Sequence, residues 1–317
     1  MRWKPIRFIP DGTKIPFMRL SRYGFVLSGL ATILAVLAFL TIGLNYGIDF
    51  KGGTVMTVRT AEAANLDQMR RTLDGLGIGS VELQEFGSPN DVLIRLESQG
   101  DEIAEQAAQQ KVKDALGQGV EYRSTETVGP KVSNELTQAA IIATVIALIC
   151  VLAYLWFRFE WQFAVGGIAS LLHDVLLSIG LFSVMGLEFN LNIIAAILTI
   201  IGYSLNDTVV VFDRIREYLR KYKSMGLVDL IDFSINSVLP RTLLTSICTL
   251  IALLALYIFG GEVIHGFAFA MIWGVIVGTY SSIFVAAPVL ILTGSSRQVQ
   301  GAPADAAVKS RPVPQRG

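Results

Sequence analysis

Charge is scarce in this chain. Only 16% of its 317 residues are Asp, Glu, Lys or Arg, while 52% are hydrophobic. A soluble domain of this size carries about 25% charged residues. The deficit excludes an ordinary water-soluble domain and points to a polytopic membrane protein. The charges also balance, with 26 basic and 26 acidic residues, which leaves no global bias toward nucleic acid or an acidic ligand. Cysteine is nearly absent. Cys150 and Cys248 lie in apolar runs and are expected to be small core residues rather than a disulfide or metal site. Histidine is limited to His173 and His265, neither with partners at zinc-ligand spacing. No G-x-x-x-x-G-K-[ST] loop occurs, so a phosphate cradle for ATP is missing. No cofactor or metal is expected.

Long apolar runs are abundant. About 20 apolar residues in a helix cross the hydrocarbon core. Six segments qualify, at roughly Tyr23–Leu44, Leu136–Phe157, Phe163–Leu187, Leu191–Phe212, Thr242–Phe259 and Gly266–Leu292. The first has no A-x-A site behind it and reads as an uncleaved anchor. Basic residues gather in the tail 1–22, in the loop after span four (Arg214, Arg216, Arg220, Lys221, Lys223, Arg241) and in the tail 293–317. The positive-inside rule then places both termini in the cytoplasm, and six spans agree with that parity. The C-terminal tail, rich in Ala, Pro, Gln and Arg, is expected to be disordered.

Residues 45–135 are then expected on the exported side as a small folded domain. GTVMTVRT reads as a strand with Met56 and Val58 on one face. Leu66, Met69, Leu73 and Leu76 follow at helical spacing behind an Asn65 cap. VELQEFG and DVLIRLE read as strands joined by a turn at Ser88–Asn90, Ile103, Ala107, Val112, Ala115 and Leu116 as a second helix, and VEYRSTETV as a closing strand. The order βαββαβ is the ferredoxin-like pattern. The fold class is therefore an α-helical membrane protein of six spans plus one small α+β domain. Asp49 and Lys51, among the glycines of NYGIDFKGGT, are expected to be solvated or paired locally. Near 226–238, Leu227, Leu230, Ile231, Ser234, Ile235 and Val238 share one face, which predicts a helix lying in the interface before span five.

Ionisable residues at membrane depth are functional candidates, because a charge there costs at least a few kcal/mol. In span four, GYSLNDTVVVFDRIRE places Thr199, Gly202, Tyr203, Asn206, Asp207, Val210, Asp213 and Arg214 on one side of a helix. Asp213 and Arg214 end the span. Asp207 lies roughly 9 Å deeper at the helical rise, and its short side chain does not snorkel. It is expected to face the bundle interior, water or a cation. Arg241 opens span five at the same depth, after a Pro240 that suits a first helical turn. Desolvation favours a neutral carboxyl and a nearby guanidinium a charged one, so an acid between those influences can load and release a proton. Thr242, Thr245, Ser246 and Thr249 are candidates to carry water. His173 and Asp174 sit mid-span three. Neighbours on a helix point about 100° apart, so a bond between them is not expected. Asp174 is a second relay candidate or a packing hydrogen bond, and His173 reads as a satisfied bundle histidine.

Together, GIDFKGGT after span one, HD in span three, GYSLNDTVVVFDRIRE in span four and LPRTLLTS opening span five resemble the SecD/SecF family of protein-export membrane proteins, within the resistance–nodulation–division superfamily. The resemblance covers roughly Leu20 to Leu292. It implies one six-helix half of a proton-driven motor in the bacterial cytoplasmic membrane, with SecD as the other half. The SecYEG channel, the exported unfolded polypeptide and the surrounding membrane lipids are the implied partners. Protons are the coupling ion. It puts the family's membrane aspartate on Asp207 and its arginine on Arg241.

Three rival readings remain at this point. An intramembrane protease would use Ser204 with a histidine, or Asp174 with Asp207. A small-molecule exporter of the same superfamily would need a larger exported domain. A passive scaffold would merely hold the partner subunit.

Overall fold

The computed structural model describes residues 13–294, and the terminal tails beyond, including the basic residues before Thr13 and the expected disorder from Ser295, lie outside the described residues. Six helices are long and apolar enough to cross a membrane: α1 (Phe17–Ile42), α5 (Pro130–Arg158), α6 (Trp161–Met185), α7 (Leu191–Lys221), α8 (Leu227–Phe259) and the stretch Ile264–Leu292. That last stretch is built from α9 (Glu262–Ser281), a π-helical turn at Ser282–Ala286 and α10 (Ala287–Leu292). Pro288 lacks the amide that would continue the ladder and crowds the preceding turn, which is the physical ground for the π irregularity there. In the most apolar window of the Ile264–Leu292 stretch 67% of residues are buried, against 11% in α1 and α5. It therefore lies at the centre of the bundle, and α1 and α5 lie at its edge.

Small residues set the helix spacing. A side chain at Gly180 of α6 would run into the backbone of Ala35 on α1, and one at Gly274 or Gly278 of α9 into Ile200 or Ser204 on α7. Lipid is as apolar as the core, so such backbone approach rather than hydrophobic exclusion holds the bundle. The same fact corrects the cysteine expectation. Cys150 and Cys248 are exposed, because an apolar helix face in a membrane protein points outward as readily as inward.

Between α1 and α5 lies the α+β domain. Its elements are β2 (Gly53–Thr60), α3 (Leu66–Asp74), β3 (Val81–Phe86), β4 (Ser88–Leu96), α4 (Glu102–Leu116) and β5 (Val120–Val128). The strands form an antiparallel sheet in the order β3-β4-β2-β5, with Met56 opposite Ile94. Met56, Val58, Leu73, Ile94 and Val112 fill the core under the helices. The Asn65 side chain accepts from the Gln68 amide and caps α3. Two local expectations are corrected. The β3–β4 reversal turns on Gly87, with φ at 76°, and Ser88–Asn90 belong to β4. On α4, Ile103 is 82% exposed, while the inner face carries Glu105, Ala108 and Val112. Glu105 accepts from the Ser98 hydroxyl, the Gln99 amide and the Thr54 hydroxyl, a polar pin that hydrophobic periodicity does not reveal.

The domain is fastened to the bundle by a joint after α1. Two-residue strands β1 (Asn45–Tyr46) and β6 (Glu188–Phe189) pair in parallel. A short helix, α2 (Ile48–Lys51), follows β1. Asp49 is not locally paired as expected. Its Oδ2 accepts from the Leu191 amide at 2.9 Å, at the start of α7. Arg95 of β4 bonds Glu188 at 2.8 Å and Asn45 at 3.0 Å. Burial pushes the Glu188 carboxyl up from its ordinary range, and Arg95 opposes that. Gly52 and Gly53 adopt φ of 72° and 112°; at Gly53 a side chain would also meet the Leu96 carbonyl, so the turn into β2 requires glycine.

Asp91 gives the domain a pH dependence. Bidentate hydrogen bonds from Arg59, at 2.7 and 2.6 Å, hold its carboxyl down at about 2, against the desolvation that opposes them. A folded-state value below the unfolded one stabilises at higher pH and is lost on acidification. Stability of this domain is thus expected to fall between about pH 4 and pH 2, and Asp91→Asn to flatten that fall. Acid unfolding followed by circular dichroism checks it.

The expected interfacial helix before span five is part of the span itself. α8 runs unbroken from Leu227 to Phe259 with Pro240 inside it, not at a first turn. Its early polar residues hold the start of α1: Asp232 accepts from the Met18 amide at 2.8 Å, and the Asn236 side-chain amide bonds both the N–H and the carbonyl of Ile15.

Candidate functional site

Hydroxyl and carboxyl side chains from α6, α7, α8 and the π-turn region meet in a buried polar layer. Each helix contributes them at a spacing of three or four residues, which keeps them on one face: Ser170, Asp174 and Ser178 on α6, Ser204, Asp207 and Thr208 on α7, Thr242 and Ser246 on α8, and Gly278 followed by Ser281 and Ser282 beside the π turn. Such residues carry little weight in a hydropathy pattern. Ser170, Ser281, Ser282 and Thr208 were therefore missed by sequence reasoning, although their small-residue spacing was a readable signal.

Asp174 is the hub of this layer. It is 1% exposed. Oδ2 accepts from the Ser204 hydroxyl on α7 and from the Ser281 hydroxyl, the latter at 2.8 Å. Ser170 extends the chain by donating to Ser281 at 2.9 Å. Oδ1 faces His173 Nδ1 at 2.9 Å, which corrects the expectation that these neighbours do not bond. The 100° separation holds for the backbone directions, and the imidazole and carboxyl torsions close the remaining gap. His173 is satisfied on that side only, since Nε2 is buried without a partner next to the Tyr280 ring. Ser204 donates to a carboxylate rather than to an imidazole. A serine nucleophile needs the reverse arrangement, so the geometry removes the serine-protease reading.

Asp207 stands one turn beyond Ser204 on α7 and is as buried as Asp174 but differs in its hydrogen bonding. It is 3% exposed, and its Oδ2 is buried with no hydrogen-bond partner among the described residues. The Thr242 hydroxyl of α8 is likewise buried and without a partner among the described residues. Nearby, Thr208 bonds Ser282 at 2.8 Å, and Ser246 bonds Thr279 at 2.8 Å. Tyr203 reaches Ser246 at 3.4 Å. Unmatched buried polar atoms are costly, so Asp207 and Thr242 stand out as candidates for a functional role at membrane depth.

Arg241 does not pair with Asp207 in this arrangement. No ion pair joins them among the described residues, and Arg241 is exposed on α8. Thr199, Gly202 and Asn206 of the expected inward stripe, and Thr245 of α8, are exposed too. Thr245 bonds back to its own helix at the Arg241 and Thr242 carbonyls. Asp213 lies apart, two turns before the end of α7, bonded through both oxygens to Arg158 at 2.8 Å. His265 stacks on Tyr257, away from the layer.

Comparison with known proteins places this geometry. Residues 108–296 match the family model described as protein export membrane protein SecD/SecF, C-terminal, and residues 37–64 match the SecD/SecF GG motif. The protein translocase subunit SecF of Vibrio alginolyticus is 44% identical over 90% of this chain and 91% of its own length. The protein translocase subunit SecDF of Brucella abortus is 46% identical over 91% of this chain, which spans 38% of that longer protein. Among solved structures, SecDF from Thermus thermophilus, a translocon-associated membrane protein, superposes with a TM-score of 0.81 at 36% identity, over 89% of this chain and 39% of the other. A second structure, of SecDF in a super-membrane-facing form, gives 0.69 at 35% identity, over 94% of this chain and 41% of that one.

Proposed function

This chain belongs to the SecD/SecF family of protein-export membrane proteins, and on that premise we propose that it converts proton flow into movement that draws polypeptides across the bacterial cytoplasmic membrane. The observation that carries the proposal is Asp207, a carboxyl on a membrane-spanning helix whose buried Oδ2 has no side-chain or backbone partner among the described residues. Its proton is the exchangeable one. Arg241 on α8 alternates between the outward position described above and one against Asp207, stabilising the charged carboxylate when near. Asp174 keeps α6, α7 and the π turn in register, with His173 holding its second oxygen.

The chain works with a second half. Polar groups at membrane depth, such as Asn206, Arg241 and Thr245, face out of this chain and need a protein partner rather than lipid. SecD is that partner. The longer relatives named SecDF, of which this chain spans under half, support the assignment. The assembly delivers unfolded polypeptide emerging from the SecYEG channel, with both termini cytoplasmic and the α+β domain on the exported side. One solved relative is described as a super-membrane-facing form of SecDF, which supports a moving part.

The magnitudes suffice. One proton crossing 100 mV releases about 2.3 kcal/mol, enough to shift a two-state domain by a factor of order tens. The test is the assembled complex in vesicles loaded with a passenger chain. Imposing a proton gradient is expected to stimulate ATP-independent late export, and collapsing it to remove the stimulation. Equal export with and without the gradient would leave the scaffold reading standing instead.

A further inference from the structure

At the end of the bundle where α5 and α7 terminate, a cavity of about 480 Å³ opens between Arg158, Asp213, Arg216, Glu217, Arg220 and Lys221. We propose that it binds the phosphate of an anionic phospholipid headgroup, a ligand that the export reading neither uses nor requires.

Charge is the first argument. Four cations and two carboxylates line the cavity, and the carboxylates are engaged. Asp213 is bonded by Arg158 through both oxygens, and Glu217 by Arg214 at 2.8 Å. Arg216 is only 3.7 Å from Asp213, and Arg220 and Lys221 have no carboxylate partner among the described residues. The cavity therefore presents net positive charge with unused donors. Preorganisation is the second. The Phe159 ring carries the guanidinium groups of both Arg158 and Arg216, at 5.1 and 5.4 Å from its centroid, and this fixes two planar donors at the cavity wall. Location is the third. Trp156 and Phe157, which precede Arg158 on α5, and Trp161, which opens α6, are 66%, 89% and 54% exposed. Large aromatic rings left uncovered where apolar helices end occupy the headgroup level of a bilayer. Basic pockets between transmembrane helices at that level suit anionic headgroups. A soluble anion has no use for the rings, whereas a phospholipid places its phosphate among the cations and its glycerol and acyl carbons against them.

The test uses the full chain, purified and exchanged into detergent with equal phosphatidylglycerol and phosphatidylcholine, with retained lipid read by native mass spectrometry. Wild type is expected to retain phosphatidylglycerol about tenfold over phosphatidylcholine. In the triple variant Arg216→Gln, Arg220→Gln, Lys221→Gln the ratio is expected to fall to about one, with thermal stability in phosphatidylcholine unchanged. If the triple variant is unstable, Lys221→Glu alone, at an exposed position, is expected to reduce the ratio severalfold. A wild-type ratio near one, or a ratio insensitive to these changes, would overturn the proposal. So would displacement of the lipid by soluble glycerol phosphate at equal concentration, since that identifies a free-phosphate site.

Discussion

Asp207→Asn is expected to remove gradient-stimulated export by a factor of order tens, the bias that one proton across 100 mV supplies, while leaving the protein assembled. The asparagine side chain has the volume of the carboxyl it replaces and carries no exchangeable acid proton. The buried Oδ2 of Asp207 has no hydrogen-bond partner among the described residues, so the substitution breaks no bond at that oxygen. Thermal stability is therefore expected to stay within about 1 kcal/mol of wild type, in the range of substitutions that break no packed contact. Export into vesicles under an imposed gradient, read beside co-purification with the partner subunit, separates the readings. Retained stimulation would show that the carboxyl is not the coupling group.

The second large effect has the opposite character. Asp174→Ala is expected to destabilise the bundle by about 2–4 kcal/mol. It strips the acceptor from two interhelical bonds, those of Ser204 and Ser281, at roughly 0.6–1.7 kcal/mol each in a membrane, and from His173 on its own helix, which leaves a further buried polar group unmatched. Export falls with the folded population rather than through lost coupling. Asp174→Asn keeps one acceptor oxygen and is expected to lose about half as much. Ser204→Ala removes one bond of the three and costs on the order of 1 kcal/mol with export retained, whereas an intramembrane serine protease would lose all activity. Thermal unfolding of the purified chain, paired with the export assay, orders the three variants. Equal stability of Asp174→Ala and wild type would exclude the hub role.

The six-helix count was legible because hydropathy over about 20 residues measures what the bilayer demands. The βαββαβ order was legible because Asn65, the glycines and the alternating strands are local signals. The burial of Asp207 was legible because a short acid in an apolar helix is costly wherever it points. What escaped was orientation. Cys150 and Cys248 were assigned to a core because composition does not distinguish a helix neighbour from lipid. Pro240 suits a first turn and also sits inside α8, where Asn236 and Asp232 are occupied with α1 and the helix continues past the missing amide. The bond from Asp49 to Leu191 spans 142 positions, and no window along the chain joins those residues. Arg241 was matched to Asp207 by depth, which fixes height along the membrane normal and not the direction around the helix.

The joint below the α+β domain has a mechanical consequence. The carboxylate of Asp49 is attached to the first amide of α7, Arg95 grips Glu188 one turn before it, and Gly52 and Gly53 allow no slack that another residue could share. α7 is the helix that holds Asp207 at mid-length. A tilt of that rod and a swing of the domain above it are accordingly one stroke, transmitted like a tiller to its rudder, and a pair of spectroscopic labels on the two should report a single amplitude.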